Sequence, residues 1–429
     1  MKLLTVTLGC KVNQYESNVL RSVFEKNGFE YVDKNDIPDV IIVNSCTVTA
    51  ESDRKTRQTV RKMRRKYPES IIVLTGCMPQ AAHQKGESVL EADIVTGNRS
   101  NDKILNMVKD YISTKERTVF FEEHENNEQF CCSTVTDFYE KTRAFLKIED
   151  GCENYCTYCI IPKARGVVRS KPLEVIKQEA ATLADKGYKE IVLVGINLSA
   201  YGKGTEYDLC DAVYTVSEIE GIKRIRLGSV EPDLMTDEFM KKLSLNKKFC
   251  PQFHLSLQSG CDETLKRMNR HYDAAFYRDL VNRIRCNFNN PSITTDIMVG
   301  FAGETDEEFD KSRSFAEEIG FARAHVFVYS KREGTFAASL KEQVSDDKKS
   351  KRARLMSETV KNTEKQFLLS QVGLVCPVLF ETKQKDGLFE GYTENYTQVF
   401  VKSSRPLEGE IINVRITDSY DTYCIGEII

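Results

Sequence analysis

The sequence predicts an α/β protein in three parts. A doubly wound parallel sheet comes first, then an open, partial (β/α)6 barrel of TIM type, then a small antiparallel β-barrel. Three observations carry this. Strand-like and helix-like runs alternate over residues 1–115, the alternation resumes from Thr142, and from about residue 369 short strands separated by Gly and polar turns replace it.

The elements follow in order. Lys2–Leu8 is apolar and β-rich, and Gln14–Lys26 places Val19, Leu20, Val23 and Phe24 at helical spacing on one face. Asp39–Asn44 is a second buried strand, Glu51–Lys66 a strongly charged helix, Ser70–Thr75 a third strand and Ala92–Thr96 a fourth. Residues 116–140 are polar and acidic, with Glu122–Glu128 enclosing two asparagines, and are expected to be a linker. Phe145–Glu149, Glu190–Val194, Arg224–Leu227, Gln252–Leu257, Thr294–Val299 and Ala324–Val328 then give six β/α units. Residues 346–368 form a charged helical connector. Val375–Glu381, Leu388–Tyr392, Gln398–Val401, Ile411–Asp418 and Tyr423–Ile428 make the last barrel. The expected divisions are 1–115, the linker 116–140, 141–368 and 369–429.

The 429 residues suffice for about two or three domains, hydrophobic residues at 41% can fill their cores, and the net charge of −3 leaves any basic surface local. No apolar stretch approaches the roughly 18 residues of a membrane span. Met1–Cys10 is too short for a signal peptide, so a cytoplasmic protein with no membrane partner is expected. In that reducing setting 14 cysteines point to metal or redox chemistry rather than disulfides.

Cys152, Cys156 and Cys159 stand in C-x3-C-x2-C spacing within Gly151–Cys159. Three thiolates this close can occupy three corners of a [4Fe–4S] cube, whereas structural zinc takes four protein ligands. No fourth cysteine or histidine is near in the sequence, so one iron is left open to a small molecule. A second set is dispersed: Cys10 follows the first strand, Cys46 the second and Cys77 the third. In a parallel sheet those three strand ends open on one edge, where open α/β sheets bind ligands.

The C-x3-C-x2-C loop just after the first barrel strand resembles the radical S-adenosylmethionine (SAM) superfamily. Together with Cys10, Cys46 and Cys77 it resembles the methylthiotransferase family along essentially the whole chain. So do Cys159–Gly166, His254–Gly260 and Asp296–Phe301. The resemblance implies an N-terminal domain holding an auxiliary [4Fe–4S] cluster on Cys10, Cys46 and Cys77, a radical SAM barrel with its cluster on Cys152, Cys156 and Cys159, and a C-terminal TRAM barrel. It implies that one SAM methylates a sulfur on the auxiliary cluster while a second, cleaved reductively, yields the radical that activates the substrate carbon. Leu8–Glu16, Arg54–Arg57 and Leu265–Arg270 are similar to the branch that converts N6-threonylcarbamoyladenosine (t6A), at position 37 of tRNA, to its 2-methylthio derivative. Ala302 and Asn197 depart from patterns frequent in the family and in this branch. The partners implied are the tRNA anticodon stem-loop, a sulfur donor and a reductant such as flavodoxin or ferredoxin. The same chemistry on N6-isopentenyladenosine of tRNA, or on a ribosomal-protein aspartate, is the alternative.

RNA has independent support. Arg54, Arg57, Arg61 and Arg64/Arg65 recur at i, i+3/i+4 steps, thickened by Lys55, Lys62 and Lys66, with no acid between Arg54 and Lys66. The basic run Lys348–Arg354 reads equally as a solvated helix. The last barrel carries more acids than bases, and Tyr392, Tyr396 and Phe400 are expected to fill its core rather than stack on bases. SAM-contact candidates are Tyr158 beside the adenine and polar groups at barrel strand ends: Gly195, Asn197, Ser229, Glu231, Gln258, Ser259 and Asp296. Arg165 is a candidate for the SAM carboxylate or the substrate. The eight other cysteines, Cys131 and Cys132 included, read as packing or incidental thiols. A cobalamin-dependent methylase would need D-x-H-x-x-G, and Ala81–Gly86 lacks the Asp. An iron–sulfur RNA-binding sensor would leave a SAM barrel without purpose.

Overall fold

A computed structural model describes residues 1–84, 92–125, 128–135, 137–138 and 142–429. The first domain is a six-stranded, all-parallel sheet of β1 (Lys2–Thr7), β2 (Glu30–Tyr31), β3 (Val40–Ser45), β4 (Ile71–Gly76), β5 (Ile94–Thr96) and β6 (Thr118–Phe120), in spatial order β2-β1-β3-β4-β5-β6. Strand alternation sorts its apolar side chains to two faces. Leu3, Ile42 and Val73 pack with Leu20, Phe24, Ile104 and Val108 from the helices Lys11–Lys26 and Ile104–Thr114. Leu4, Ile41, Val43, Ile72 and Leu74 pack with Val60 and Met63 of the helix Ala50–Lys66. Both faces are covered, as a doubly wound sheet requires. The sequence predicts four of these strands. The two edge strands, of two and three residues, are too short for period-2 alternation to register, and β6 lies inside the stretch expected to be linker.

The second domain supplies β7 (Arg143–Lys147), β8 (Glu149–Asp150), β9 (Arg169–Ser170), β10 (Glu190–Val194), β11 (Arg224–Leu227), β12 (Ser229–Val230), β13 (Gln252–Leu255), β14 (Ser292–Val299) and β15 (Arg323–Val328). Two parallel sheets, β11-β10-β7 and β12-β13-β14-β15, meet where β11 passes into β12 through Gly228, and a parallel bridge from Ile225 to Phe249 joins them. The result is an arc of six β/α units, with no pairing between β7 and β15 among the described residues. Val12 and Tyr15 of the first helix belong to the barrel's own core, alongside Phe138 and Phe145.

The helix Asp346–Ser370 leads to a closed barrel of β16 (Val375–Lys383), β17 (Leu388–Thr393), β18 (Gln398–Lys402), β19 (Ile411–Ser419) and β20 (Cys424–Ile428), in order β16-β17-β18-β20-β19. Four pairings are antiparallel, and β18 with β20 is parallel. An odd number of strands cannot alternate direction all the way round a closed ring, so one parallel neighbour is obligatory. Tyr392 and Tyr396 neither fill this barrel nor face solvent as a pair. They stack on each other at 4.7 Å between ring centres, with the Arg143 guanidinium 4.9 and 4.8 Å from the two rings and Arg226 at 4.8 Å from Tyr396. Arg224 and Arg226 also donate to the carbonyls of Pro377, Tyr392 and Glu394. The bottoms of β7, β10 and β11 thus clamp the small barrel, around buried Glu190. Among the described residues no helix is long and apolar enough to cross a membrane.

Candidate active site

The strand order changes direction between β1 and β3, and the crevice at such a switch point is where doubly wound folds bind ligands. Cys10 follows β1 and Cys46 follows β3, on either side of that point, and Cys77 follows β4. Two glycines permit the approach. A Cβ on Gly9 would lie 2.8 Å from the Cβ of Cys46, and one on Gly76 (φ +102°) would lie 2.3 Å from the Ser45 carbonyl oxygen. Buried Asn13 ties the loops together. Its Oδ1 accepts from the Cys10 backbone N–H and thiol at 3.2 and 3.3 Å, and its Nδ2 donates to Asn44 Oδ1 and the Ser45 carbonyl. Cys10 is exposed, whereas Cys46 and Cys77 are buried. Burial pushes the Cys77 thiol up to about 12, Arg165 opposes this, and the field of Cys46 adds to it. Burial also raises Cys46, to which Cys10 contributes.

The second set lies in the loop after β8. Burial and the nearby Cys156 push both Cys152 and Cys159 up to about 12, so these three thiols also share one field. A clasp from Arg267–Tyr272 holds the loop. Thr157 donates its backbone N–H to the Met268 carbonyl (3.0 Å) and its hydroxyl to that of Arg267 (2.8 Å), while Asn269 Nδ2 donates to the carbonyls of Asn154 and Tyr155. Arg270 donates to Cys156 Sγ at 3.2 Å and pairs with Glu231.

Among the described residues no group of three Cys, His, Asp or Glu side chains is gathered around a single metal position. A cube would take each thiolate of a set at a separate iron corner. Each set consists of thiols, and each has one guanidinium on a sulfur: Arg270 on Cys156 and Arg165 on Cys77 (3.1 Å). Such donors compensate thiolate charge at buried clusters.

The sites are linked. Ile160 and Ala164 pack against Cys77 and Ala81. The helix Ile161–Arg165 therefore starts beside Cys159 and ends with Arg165 on Cys77, an advance of about 6 Å along the helix axis. Arg165 is fully buried and also donates to Glu16 (3.0 Å) and Asp150 (3.3 Å), with Lys147 between those carboxylates at 2.8 and 2.6 Å. Its donors are spent inside the protein, so the expectation that it meets a SAM carboxylate or the substrate is corrected.

The SAM-contact candidates divide. Asn197 and Glu231 border a cleft beside the cysteine loop, together with Glu153, Asn154 and Lys203. Asn197 Nδ2 donates to Asn154 Oδ1 at 3.3 Å. Gly195 is required there, since a Cβ would sit 2.6 Å from Glu149 Oε2. Ser229 is exposed in β12. Tyr158 packs edge-on against Phe301 in an apolar group with Met268 and Tyr329. Gln258 (φ +66°) pairs through its backbone with Asp296 and Met298 of β14. Asp296 Oδ2 lies 3.4 Å from His254 Nε2. Ser259 departs from expectation: it is 1% exposed, and its hydroxyl accepts from the Cys261 N–H, which makes it a turn cap.

Two participants escape the sequence reading. Glu149 is fully buried, accepts from the Asn197 N–H at 2.7 Å, and has an Oε1 with no hydrogen-bond partner; burial pushes its carboxyl up to about 8. An acid ending the first barrel strand was a signal that could have found it. Arg270 ends Leu265–Arg270, a stretch that carried the family resemblance, but its contact with Cys156 was not legible because the two are remote in sequence.

On the helix Ala50–Lys66, Arg54, Arg57, Arg61 and Arg65 are exposed and share a face. Arg64 leaves the stripe: half-buried, it donates to Asp93 (2.5 Å) and to the carbonyls of Pro68 and Ser70. Arg54 pairs with Glu51, an acid just outside the run.

Three family models match the chain: "Uncharacterized protein family UPF0004" over residues 2–97, the Radical SAM superfamily over 146–316 and the TRAM domain over 369–429. A Bacillus subtilis protein named threonylcarbamoyladenosine tRNA methylthiotransferase MtaB is 36% identical, covering 99% of this chain and 95% of its own length. The protein of that name from Aquifex aeolicus is 37% identical over 97% and 100%. The chain belongs to the radical SAM methylthiotransferase family. A Natranaerobius thermophilus relative, 32% identical over 100% and 96% of the two chains, is named tRNA-2-methylthio-N(6)-dimethylallyladenosine synthase. Among solved structures, the radical SAM methyltransferase TsrM from Kitasatospora setae superposes with a TM-score of 0.56 at 15% identity, over 79% of this chain and 77% of its own. That likeness concerns the fold alone. The TsrM structure contains cobalamin, but here His83, the histidine of the incomplete cobalamin motif, stacks on Phe121 and pairs with Glu123, while Lys85 and Gly86 lie outside the described residues. Membership of the radical SAM superfamily brings SAM and a [4Fe–4S] cluster as cofactors.

Proposed function

We propose that the protein attaches a methylthio group to t6A at position 37 of tRNA, in the cytoplasm. Cys152, Cys156 and Cys159 would hold the radical SAM cluster, and Cys10, Cys46 and Cys77 an auxiliary [4Fe–4S] cluster. The observation that carries this is the pair of cysteine triads joined by the helix Ile161–Arg165, in a chain whose full-length relatives at 36 and 37% identity bear that activity in their names.

When bound, the clusters would supply the electron that opens SAM and the site from which sulfur is delivered. The chain's own residues position and shelter the reactants. Arg270 holds Cys156 and Glu231, the latter a residue of the cleft wall, together. Glu149 fixes the Asn197 backbone where polar groups at strand ends meet SAM. Arg165 sets the spacing of Cys77 from the barrel, and the exposed arginines of the helix Ala50–Lys66 offer contacts to phosphates of the anticodon stem-loop. A reductant of the flavodoxin or ferredoxin class and a separate sulfur donor complete the reaction.

The test is mass spectrometry of nucleosides from tRNA of a host lacking its own enzyme, with and without this protein. Appearance of 2-methylthio-t6A is the expected result. Persistence of t6A alone, with both clusters loaded, would overturn the substrate. N6-isopentenyladenosine is the second reading, favoured by the relative 32% identical along the whole chain.

A further inference from the structure

Among the described residues Tyr155 and Phe336 are the most exposed aromatic rings, at 62 and 65%. A single exposed ring needs no explanation. Tyr155 belongs to the cysteine loop, and Phe336 to a segment hydrogen-bonded to that loop through its backbone. Tyr155 sits between Cys152 and Cys156 with φ +47°, its carbonyl held by Asn269. Phe336 opens a short helix whose Ala337 N–H donates to the Thr157 carbonyl at 2.8 Å, and Lys163 Nζ reaches the Gly334 carbonyl at 2.7 Å. Ala337, next to Phe336, is fully buried against the Tyr158–Phe301 group, so the exposed ring stands on a packed base.

The segment bearing Phe336 is also locked to the arginine helix. Arg332 donates to Thr47 Oγ1 at 2.6 Å and pairs with Asp53 at 2.9 Å, while the Ala50 N–H donates to Ser330 Oγ. Val48, 55% exposed, lies at that seam. Exposed rings beside the cysteine loop thus connect rigidly to an exposed row of arginines. A duplex alone would offer the rings nothing, because its bases are stacked inside. An RNA loop offers unpaired bases to the rings and phosphates to the arginines.

We propose that Tyr155 and Phe336 form a stacking platform for unpaired nucleotides flanking the target base of an RNA loop, with Arg54, Arg57, Arg61 and Arg65 taking the phosphates of the adjoining stem. The proposal rests on the tRNA reading above and adds which residues grip the loop. The test uses the cluster-loaded enzyme and two fluorescein-labelled RNAs, a t6A-bearing anticodon stem-loop and a blunt duplex of the same stem. Phe336→Leu, which keeps an apolar side chain but removes the ring, should weaken stem-loop binding roughly tenfold. Adding Tyr155→Leu should weaken it further, Phe336→Tyr should restore it, and duplex binding should not move. Unchanged stem-loop affinity in the double variant overturns the platform and leaves the tRNA reading standing. Equal losses on both RNAs also overturn it, because damage to the fold or the arginine row would do that. Wild-type enzyme that binds neither RNA overturns the tRNA reading and the platform with it.

Discussion

Cys77 is 2% exposed and has a guanidinium nitrogen 3.1 Å from its sulfur, an arrangement that would make a buried thiolate tolerable if Cys77 is a cluster ligand as proposed. Serine offers no comparable soft donor. Cys10→Ser, Cys46→Ser or Cys77→Ser is therefore expected to abolish methylthio transfer while SAM cleavage persists, and chromatography of 5'-deoxyadenosine beside the modified nucleoside reads both. Transfer retained by any one of the three would remove that residue from the auxiliary site. Glu149 permits a second prediction at this scale. Its folded pKa, about 8, lies above the ordinary 4.5 because burial penalises the charged form. The fold therefore keeps a proton that the unfolded chain gives up. The associated stability is fully present below about pH 4.5 and is lost as pH rises through about 8. Glu149→Gln keeps the shape and the acceptor for Asn197 without the titration. It should raise the melting temperature relative to wild type at pH 8.5, with the gap closing at pH 5. An equal shift at both pH values would show that ionisation is not the cause.

The helix Ala50–Lys66 shows what periodicity can and cannot assign. Spacing placed Arg54, Arg57, Arg61 and Arg64 or Arg65 on one face, and the packing chose Arg65, because Asp93 at the start of β5 and the turn carbonyls of Pro68 and Ser70 claim Arg64. Those partners lie beyond the helix, where its own pattern carries no information. The two roles predict different behaviour. Arg57→Ala with Arg61→Ala should lower the slope of log affinity against log salt for the tRNA stem by about 2, one for each phosphate that an arginine no longer neutralises. Arg64→Ala should leave that slope alone and cost about 1 kcal/mol of stability, since the Arg64–Asp93 pair is partly exposed. A slope changed by Arg64→Ala, or unmoved by the double variant, would reverse the assignment. The cysteine loop and strand ends were legible for a different reason. Cys152, Cys156 and Cys159 are close in sequence, and Cys10, Cys46 and Cys77 each follow a recognisable strand. The contacts of Arg270 and Glu16, each at the end of a stretch that carried the resemblance, were not, because their partners are brought to them only by tertiary packing.

At the scale of the whole molecule the three parts were visible because each has its own period: alternation with helices twice, then short strands alone. How the parts join was not, since the joints are single charged residues on otherwise ordinary strands. Arg143, Arg224 and Arg226 read as strand residues, yet they converge on Glu190 and clamp the last barrel through Tyr392 and Tyr396. The other joint, Glu16 with Lys147, Asp150 and Arg165, binds the sheet domain to the barrel beside Cys77. Buried pairs of this kind are expensive to break from one side, because the remaining charge is left without a counterion. Arg165→Met removes a fully buried cation and leaves Glu16 with Lys147, and Asp150 with Lys147 and Arg169, at a cost of about 3 kcal/mol, the low end of the usual range because two cations remain. The variant should melt at a lower temperature, and adding Glu16→Gln should recover part of the loss, since the orphaned carboxylate is what costs. The double variant separates this from simple loss of packing: a cavity left by the arginine would not be repaired by neutralising Glu16. Thermal melts of wild type, both single variants and the pair complete the cycle. A strictly additive result would mean that the joint holds by shape, and that the guanidinium on Cys77 sits there for the thiolate rather than for the interface.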